Sequence, residues 1–225
     1  YDTLDKKMDT WGTDETGSFY LPQKLEYGTY YLREVKAPEG YLLNTEDIQF
    51  KVIAERDWEN PLVVACEDVP AMGKIHLKKT DKESEEALAG AVFNVIAAEN
   101  ITTPDGTLQA AKAEVVTTLT TGSDGTATST ALHFGKYKLV ETKAPNGYVT
   151  SEKNWDVTLS YADQETEIVT KDVSVTNTPN EVKIKKVAAD SQEALAGVEF
   201  QVWKKGTSAK DNLFDLYYAD KPLFL

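Results

Sequence analysis

Cysteine is almost missing from this chain. Cys66 is the only one in 225 residues, so no disulfide can form within the molecule. A β-rich protein that must resist force or proteolysis outside a cell then needs another staple. Histidine is scarce too. His76 and His133 stand apart from each other and from any cysteine or carboxylate cluster at ligand spacing, so no metal site is expected. No run approaches the roughly 20 apolar residues of a membrane span, which predicts no membrane insertion in this segment. Basic residues are the minority: 24 Lys and Arg against 37 Asp and Glu leave a net charge of -13. That balance cannot neutralise the phosphates of a nucleic acid or support a polybasic contact with a membrane. There is no nucleophile–base–orienter set and no glycine-rich phosphate loop, which argues against a turnover enzyme and predicts no cofactor. Nor do these residues hold a signal peptide, a C-terminal anchor or an LPxTG-like sorting signal, so the sequence reads as a processed or partial piece.

What is present is a soluble globular composition, 41% hydrophobic and 27% charged, and a repeat. GTYYLREVKAPEGY at 28–41 returns as GKYKLVETKAPNGY at 135–148, 107 positions later. ALAG at 87–90 returns at 194–197 with the same offset, inside KIHLKKTDKESEEALAGAVFNV (74–95) and VKIKKVAADSQEALAGVEFQV (182–202). One register therefore covers the chain. Residues 74–180 form a complete unit, 1–73 match the later two-thirds of one, and 181–225 match the opening third. Proline-bearing joints, VPAMG at 69–73 and TPNE at 178–181, suggest stiff connections. Within each unit, short runs rich in Thr, Val, Ile and Tyr alternate with Gly-, Asp- and Asn-bearing turns every 8–12 residues. The pattern predicts an all-β chain of tandem antiparallel β-sandwiches.

Strand alternation then places polar residues in an apolar core. Ile75, Leu77 and Lys79 share a face in the opening strand, as do Val173, Val175 and Asn177 in the closing strand. Tyr137, Leu139 and Glu141 do the same in the repeated motif. The terminal units carry pieces of this set. Tyr30, Leu32 and Glu34 align in the first unit, as do Val64, Cys66 and Asp68; Val182, Ile184 and Lys186 align in the last. Cys66 reads as a small core residue, and Lys78 and Lys185 point outward. Trp11, Trp58, Trp155 and Trp203 read as core or inter-domain packing. Two explanations fit three inward polar groups. One is a buried ion pair with a hydrogen-bonded amide, which stabilises poorly. The other is covalent. Burial disfavours charge, a neutral amine is a nucleophile, and a nearby carboxyl group can move protons. Lys79 would attack the side-chain carbonyl of Asn177 and release ammonia. The resulting isopeptide bond closes a loop of about one hundred residues and stabilises by about 4–5 kcal/mol through the unfolded state.

ETKAPNGY and EVKAPEGY, the opening L-x-K strands, the AGAVF and AGVEF strands and the closing TNTP resemble collagen-adhesin B-type (CnaB, SpaA-like) domains. The resemblance covers nearly the whole chain, with four motifs in order. These domains form stalks of Gram-positive surface adhesins and pilins. The resemblance implies tandem prealbumin-like, inverse immunoglobulin-like β-sandwich domains with a Lys–Asn or Lys–Asp isopeptide bond and a catalytic glutamate. It assigns the bond to Lys79 and Asn177 and the catalytic role to Glu141, and to Glu34 in the first unit. It further implies a structural stalk segment on the Gram-positive cell surface, with neighbouring repeats as partners. Two rivals are a module that binds a host ligand and a transthyretin-like accessory domain of a secreted enzyme. No pilin-motif lysine is evident.

The terminal half-sites do not close within one unit. Asp68 is an acceptor without its lysine, and Lys186 is a lysine without an acceptor. Either the chain is a slice of a longer array, or 181–225 of one molecule completes 1–73 of the next. Such strand addition would set Lys186 beside Glu34 and Asp68 and propagate head to tail.

Overall fold

The computed structural model describes residues 9–21, 25–54 and 59–202. Eleven strands are present among them and no helix. The first repeat contributes β1 (Gly28–Leu32) and β2 (Ile48–Val52). The middle repeat contributes β3 (Met72–Asp81), β4 (Val92–Ala97), β5 (Ile101–Thr102), β6 (Leu108–Ala110), β7 (Val115–Thr120), β8 (Thr126–Thr128), β9 (Gly135–Lys143), β10 (Asn154–Leu159) and β11 (Ile168–Asn177). Burial alternates with period two along β3 and β4, and β11 is rich in the β-branched residues that a pleated, half-buried surface favours.

Two sheets face each other, ordered β10-β9-β4-β7 and β11-β3-β8. Ile75 and Leu77 of β3, Phe93 and Val95 of β4, Leu139 of β9 and Val175 of β11 fill the space between. Each such side chain contributes about 1.5–3 kcal/mol by leaving water. Trp155 meets the edge of Phe93 with ring centroids 5.9 Å apart, so it packs against the core.

The expectation of a purely antiparallel sandwich needs correction at one pair. β11 runs parallel to β3 over ten residue pairs, from Ile168 beside Met72 to Asn177 beside Asp81. These are the first and last strands of the repeat. The long connection between them leaves room for a crossover, so no hairpin forces them antiparallel.

The chain forms two compact units, Tyr1–Asn180 and Glu181–Leu225. In the first, β1 and β2 pair antiparallel, and Tyr30 stacks on Phe50 at 5.6 Å. Alternation overstates burial in the terminal repeats. Residues 61–69 hold no strand, Cys66 is exposed, and Leu32 is 37% exposed. In the middle repeat the closing strand β11 is held by the opening strand β3. Likewise Val182, Ile184 and Lys186 are exposed; just beyond them Val187 bridges Ala194, and the Leu195 N–H donates to the Lys186 carbonyl at 3.0 Å. Residues 203–225 of the last repeat, including Trp203, lie outside the described residues, as does Trp58.

Candidate functional site

Lys79 sits near the end of β3, directly opposite Val175 of β11. Asn177 lies two residues further along β11 and therefore on the same face of the sheet. Glu141 comes from the other sheet. It is held in β9 opposite Phe93 of the central strand β4, and it faces the first two across the core. A tight turn braces the lysine. The Lys79 N–H donates to the Gly125 carbonyl at 2.7 Å. Gly125 has a φ of 72°, and a Cβ there would lie 2.5 Å from the Lys79 carbonyl oxygen. Only glycine allows that approach.

All three side chains are buried: Lys79 is 0%, Asn177 3% and Glu141 4% exposed. Glu141 is anchored through one oxygen. Its Oε2 accepts the Ser151 N–H at 2.6 Å and the Asn177 Nδ2–H at 3.0 Å. Asn177 Nδ2 also donates to the Val149 carbonyl at 2.9 Å. A carbonyl can only accept, so this contact fixes which end of the amide is nitrogen. The other carboxylate oxygen, Oε1, faces the Lys79 ammonium nitrogen at 4.0 Å. Lys79 Nζ, Glu141 Oε1 and Asn177 Oδ1 are buried without hydrogen-bond partners. Each such orphan costs about 1–3 kcal/mol, and here three of them meet in one place.

Loss of water drives the Lys79 pKa from 10.5 down to about 8; the charges of Glu141 and Asp81 oppose the shift. Asp81 is itself buried, with its carboxyl held below the usual range by the Ser84 and Glu83 backbone N–H groups. A neutral amine is therefore accessible near neutral pH. Glu141 touches the amide nitrogen with one oxygen and faces the amine with the other. That arrangement can pass a proton from an attacking amine to a departing amide nitrogen.

The other expected residues are placed as follows. Glu34 repeats the anchoring of Glu141: its Oε2 accepts the Asn44 N–H at 2.7 Å, and Asn44 stands as far from Glu34 as Ser151 from Glu141. Burial raises the Glu34 pKa, and the adjoining Asp68 adds to the rise by its charge and by a hydrogen bond. Asp68 and Glu34 are thus brought together. Lys186 belongs to the other compact unit and is exposed. Three contributors escaped the reading of alternation: the Val149 carbonyl, the Ser151 N–H and Asp81. The first two are main-chain groups with no side-chain signature. The common ten-residue spacing, Glu34 to Asn44 and Glu141 to Ser151, was the available signal.

Comparison with known proteins gives a family. A family model described as SpaA: Prealbumin-like fold domain matches residues 1–61 and 73–174. The chain belongs to this family. The SpaA-type fold agrees with the two-sheet sandwich of the middle repeat. The trypsin-resistant surface T6 protein of Streptococcus pyogenes serotype M6 is 28% identical over 122 residues, 54% of this chain and 20% of that protein. Among solved structures, the Bacillus anthracis TIE protein is similar with a TM-score of 0.53 and 25% identity, over 74% of this chain and 28% of that one. The group B streptococcus pilus 2b backbone protein is 25% identical, with a TM-score of 0.37, over 66% of this chain and 53% of that one. The SpaA-type chain spans a fifth of the length of the T6 protein it matches.

Proposed function

We propose that the chain is a stalk segment of a Gram-positive pilus or surface adhesin, stiffened by an isopeptide bond between Lys79 and Asn177. The carrying observation is the meeting of three partnerless polar atoms in the buried core, two from the first and last strands and one from β9 of the facing sheet. Neutral Lys79 Nζ attacks Cγ of Asn177. Glu141 takes the proton that the new nitrogen sheds and returns it to Nδ2, which leaves as ammonia. One C–N bond forms, one breaks, and no oxidant or cofactor is needed. Glu141 turns over once for each molecule, so the function is structural rather than enzymatic.

The product suits a load-bearing role. β3 carries the chain into the repeat and β11 carries it out, side by side and parallel. A pull on the ends shears these strands past each other. An amide between Lys79 and Asn177 carries that load covalently and shields the intervening residues. Under this reading the repeats divide at 73/74 and 180/181. Glu34 and Asp68 are the acid–base and acceptor of the preceding repeat, Lys186 is the donor of the following one, and neighbouring repeats are the partners. A tryptic map of the purified chain tests the bond. A branched peptide joining Lys79 to Asn177 is expected; the two residues in separate peptides would end the proposal.

One observation favours a second reading, a module that binds a host ligand. Trp11 stacks on Phe19 at 5.9 Å beside Tyr20, which is 69% exposed. Aromatic surfaces of this kind are common anchors in recognition. Loss of host-matrix or glycan binding on Tyr20→Ser, with the Lys79–Asn177 bond intact, would support it.

A further inference from the structure

The KAPxGY turn occurs twice, and the role of the glutamate two residues before it, Glu34 or Glu141, does not explain the turn itself. In both copies the turn has one shape. Tyr41 N–H donates to the Pro38 carbonyl at 3.1 Å and Tyr148 N–H to the Pro145 carbonyl at 3.2 Å. Tyr41 bridges Pro70 and Tyr148 bridges Pro179. Gly40 and Gly147 hold φ values of 92° and 88°. Their surroundings differ. Around Gly147 nothing among the described residues comes within 4 Å of a Cβ position, whereas at Gly40 that position falls against Cγ of Pro104, closer than any real Cβ contact. Pro104 belongs to the next repeat, in the β5–β6 loop.

The first copy is seated on that repeat by more than one contact. Gln164, in the β10–β11 loop, uses both of its carbonyls. The side-chain oxygen accepts the Ala37 N–H at 3.1 Å, and the main-chain oxygen accepts the Leu43 N–H at 2.8 Å. Tyr161 Oη donates to the Tyr41 carbonyl at 3.2 Å. The connecting strand is tied on both sides as well. Ala71 N–H donates to the Gly40 carbonyl at 2.9 Å, and Met72 N–H donates to the Glu167 carbonyl at 3.0 Å. Ala37 and Gly40 are buried.

From this geometry we infer that the KAPxGY turn is the docking element that seats one repeat on the next. The partner is a second repeat of the same type, presenting a side-chain amide in its β10–β11 loop and a proline in its β5–β6 loop. The turn is already shaped in the copy at 143–148, so docking recognises a preformed surface and need not order it. The consequence is a joint of fixed orientation between repeats rather than a tether. The inference goes beyond the isopeptide bond and holds whether or not Lys79 and Asn177 are joined.

The matched glycines supply the test, in the whole 225-residue chain. Gly40→Ala and Gly147→Ala impose the same left-handed strain, but only the first drives a methyl group into Pro104. Hydrogen exchange at the Ala37, Leu43 and Met72 amides reads the joint. Gly40→Ala should speed exchange at all three by about tenfold or more, and Gly147→Ala should leave them within about twofold of the parent. Adding Pro104→Gly to Gly40→Ala should restore slow exchange. Gln164→Ala, which touches neither glycine, should speed the Ala37 amide selectively. Equal effects of the two alanines, no rescue by Pro104→Gly, or an unchanged Ala37 amide in Gln164→Ala would overturn the inference. A missing Lys79–Asn177 bond would not touch it.

Discussion

Lys79→Met and Asn177→Ala both prevent the proposed bond, yet they should not cost the same. Methionine fills the lysine's place in the core with an apolar chain of similar length. Its loss relative to the parent is then mainly the closure of a loop of about one hundred residues, about 4–5 kcal/mol. Asn177→Ala loses that too, and it leaves the Lys79 amine unreacted in a site closed to bulk solvent. The folded-state pKa of that amine is about 8 against an ordinary 10.5. Between those values the unfolded chain binds more protons than the folded one, so stability rises with pH across that window. Below pH 8 the penalty is fully present, and the shift converts to about 3 kcal/mol. Equilibrium unfolding in urea, followed by the fluorescence change as Trp155 leaves Phe93, should show Asn177→Ala gaining about that much between pH 8 and pH 10.5 relative to Lys79→Met. The comparison cancels titrations common to both variants. Parallel pH profiles would refute the buried-amine argument. A Lys79→Met protein as stable as the parent would refute the cross-link.

Glu141→Ala should fold but retain its ammonia, because alanine can neither accept the amine proton nor pass it to Nδ2. Its intact mass should equal the sequence mass, and it should be cut faster by protease; a full mass loss in this variant would remove Glu141 from the chemistry. Sedimentation of the isolated chain should show a monomer if Glu34, Asp68 and Lys186 are completed by flanking repeats. A concentration-dependent ladder on denaturing gels would instead indicate that Lys186 of one copy bonds to Asp68 of another.

Alternation made much of the middle repeat legible. Ile75, Leu77 and Lys79 share a face by period two, and all three have no exposed surface. Glu141 and Asn177 follow their apolar neighbours inward for the same reason. Period two reports which side a residue faces, not whether anything covers that side. Leu32, Cys66, Val182 and Ile184 show this: each follows the apolar period, yet each is exposed. Nor does alternation report strand direction. The parallel pairing of β3 with β11 depends on the crossover between them, and it is this pairing that sets Asn177 diagonally from Lys79. The orientation of the Asn177 amide rests on the Val149 carbonyl, a main-chain group that every residue carries and no pattern marks. Gly125 is visible in the sequence as a turn glycine, but its closeness to the Lys79 carbonyl is a tertiary fact.

The central claim is the covalent bond, and intact mass measures it most directly. Forming one amide from an amine and a carboxamide releases one ammonia, about 17 Da. The purified chain should weigh that much less than its sequence predicts, while Lys79→Met and Asn177→Ala each match their own sequence masses. A parent chain at its full sequence mass would contradict the account.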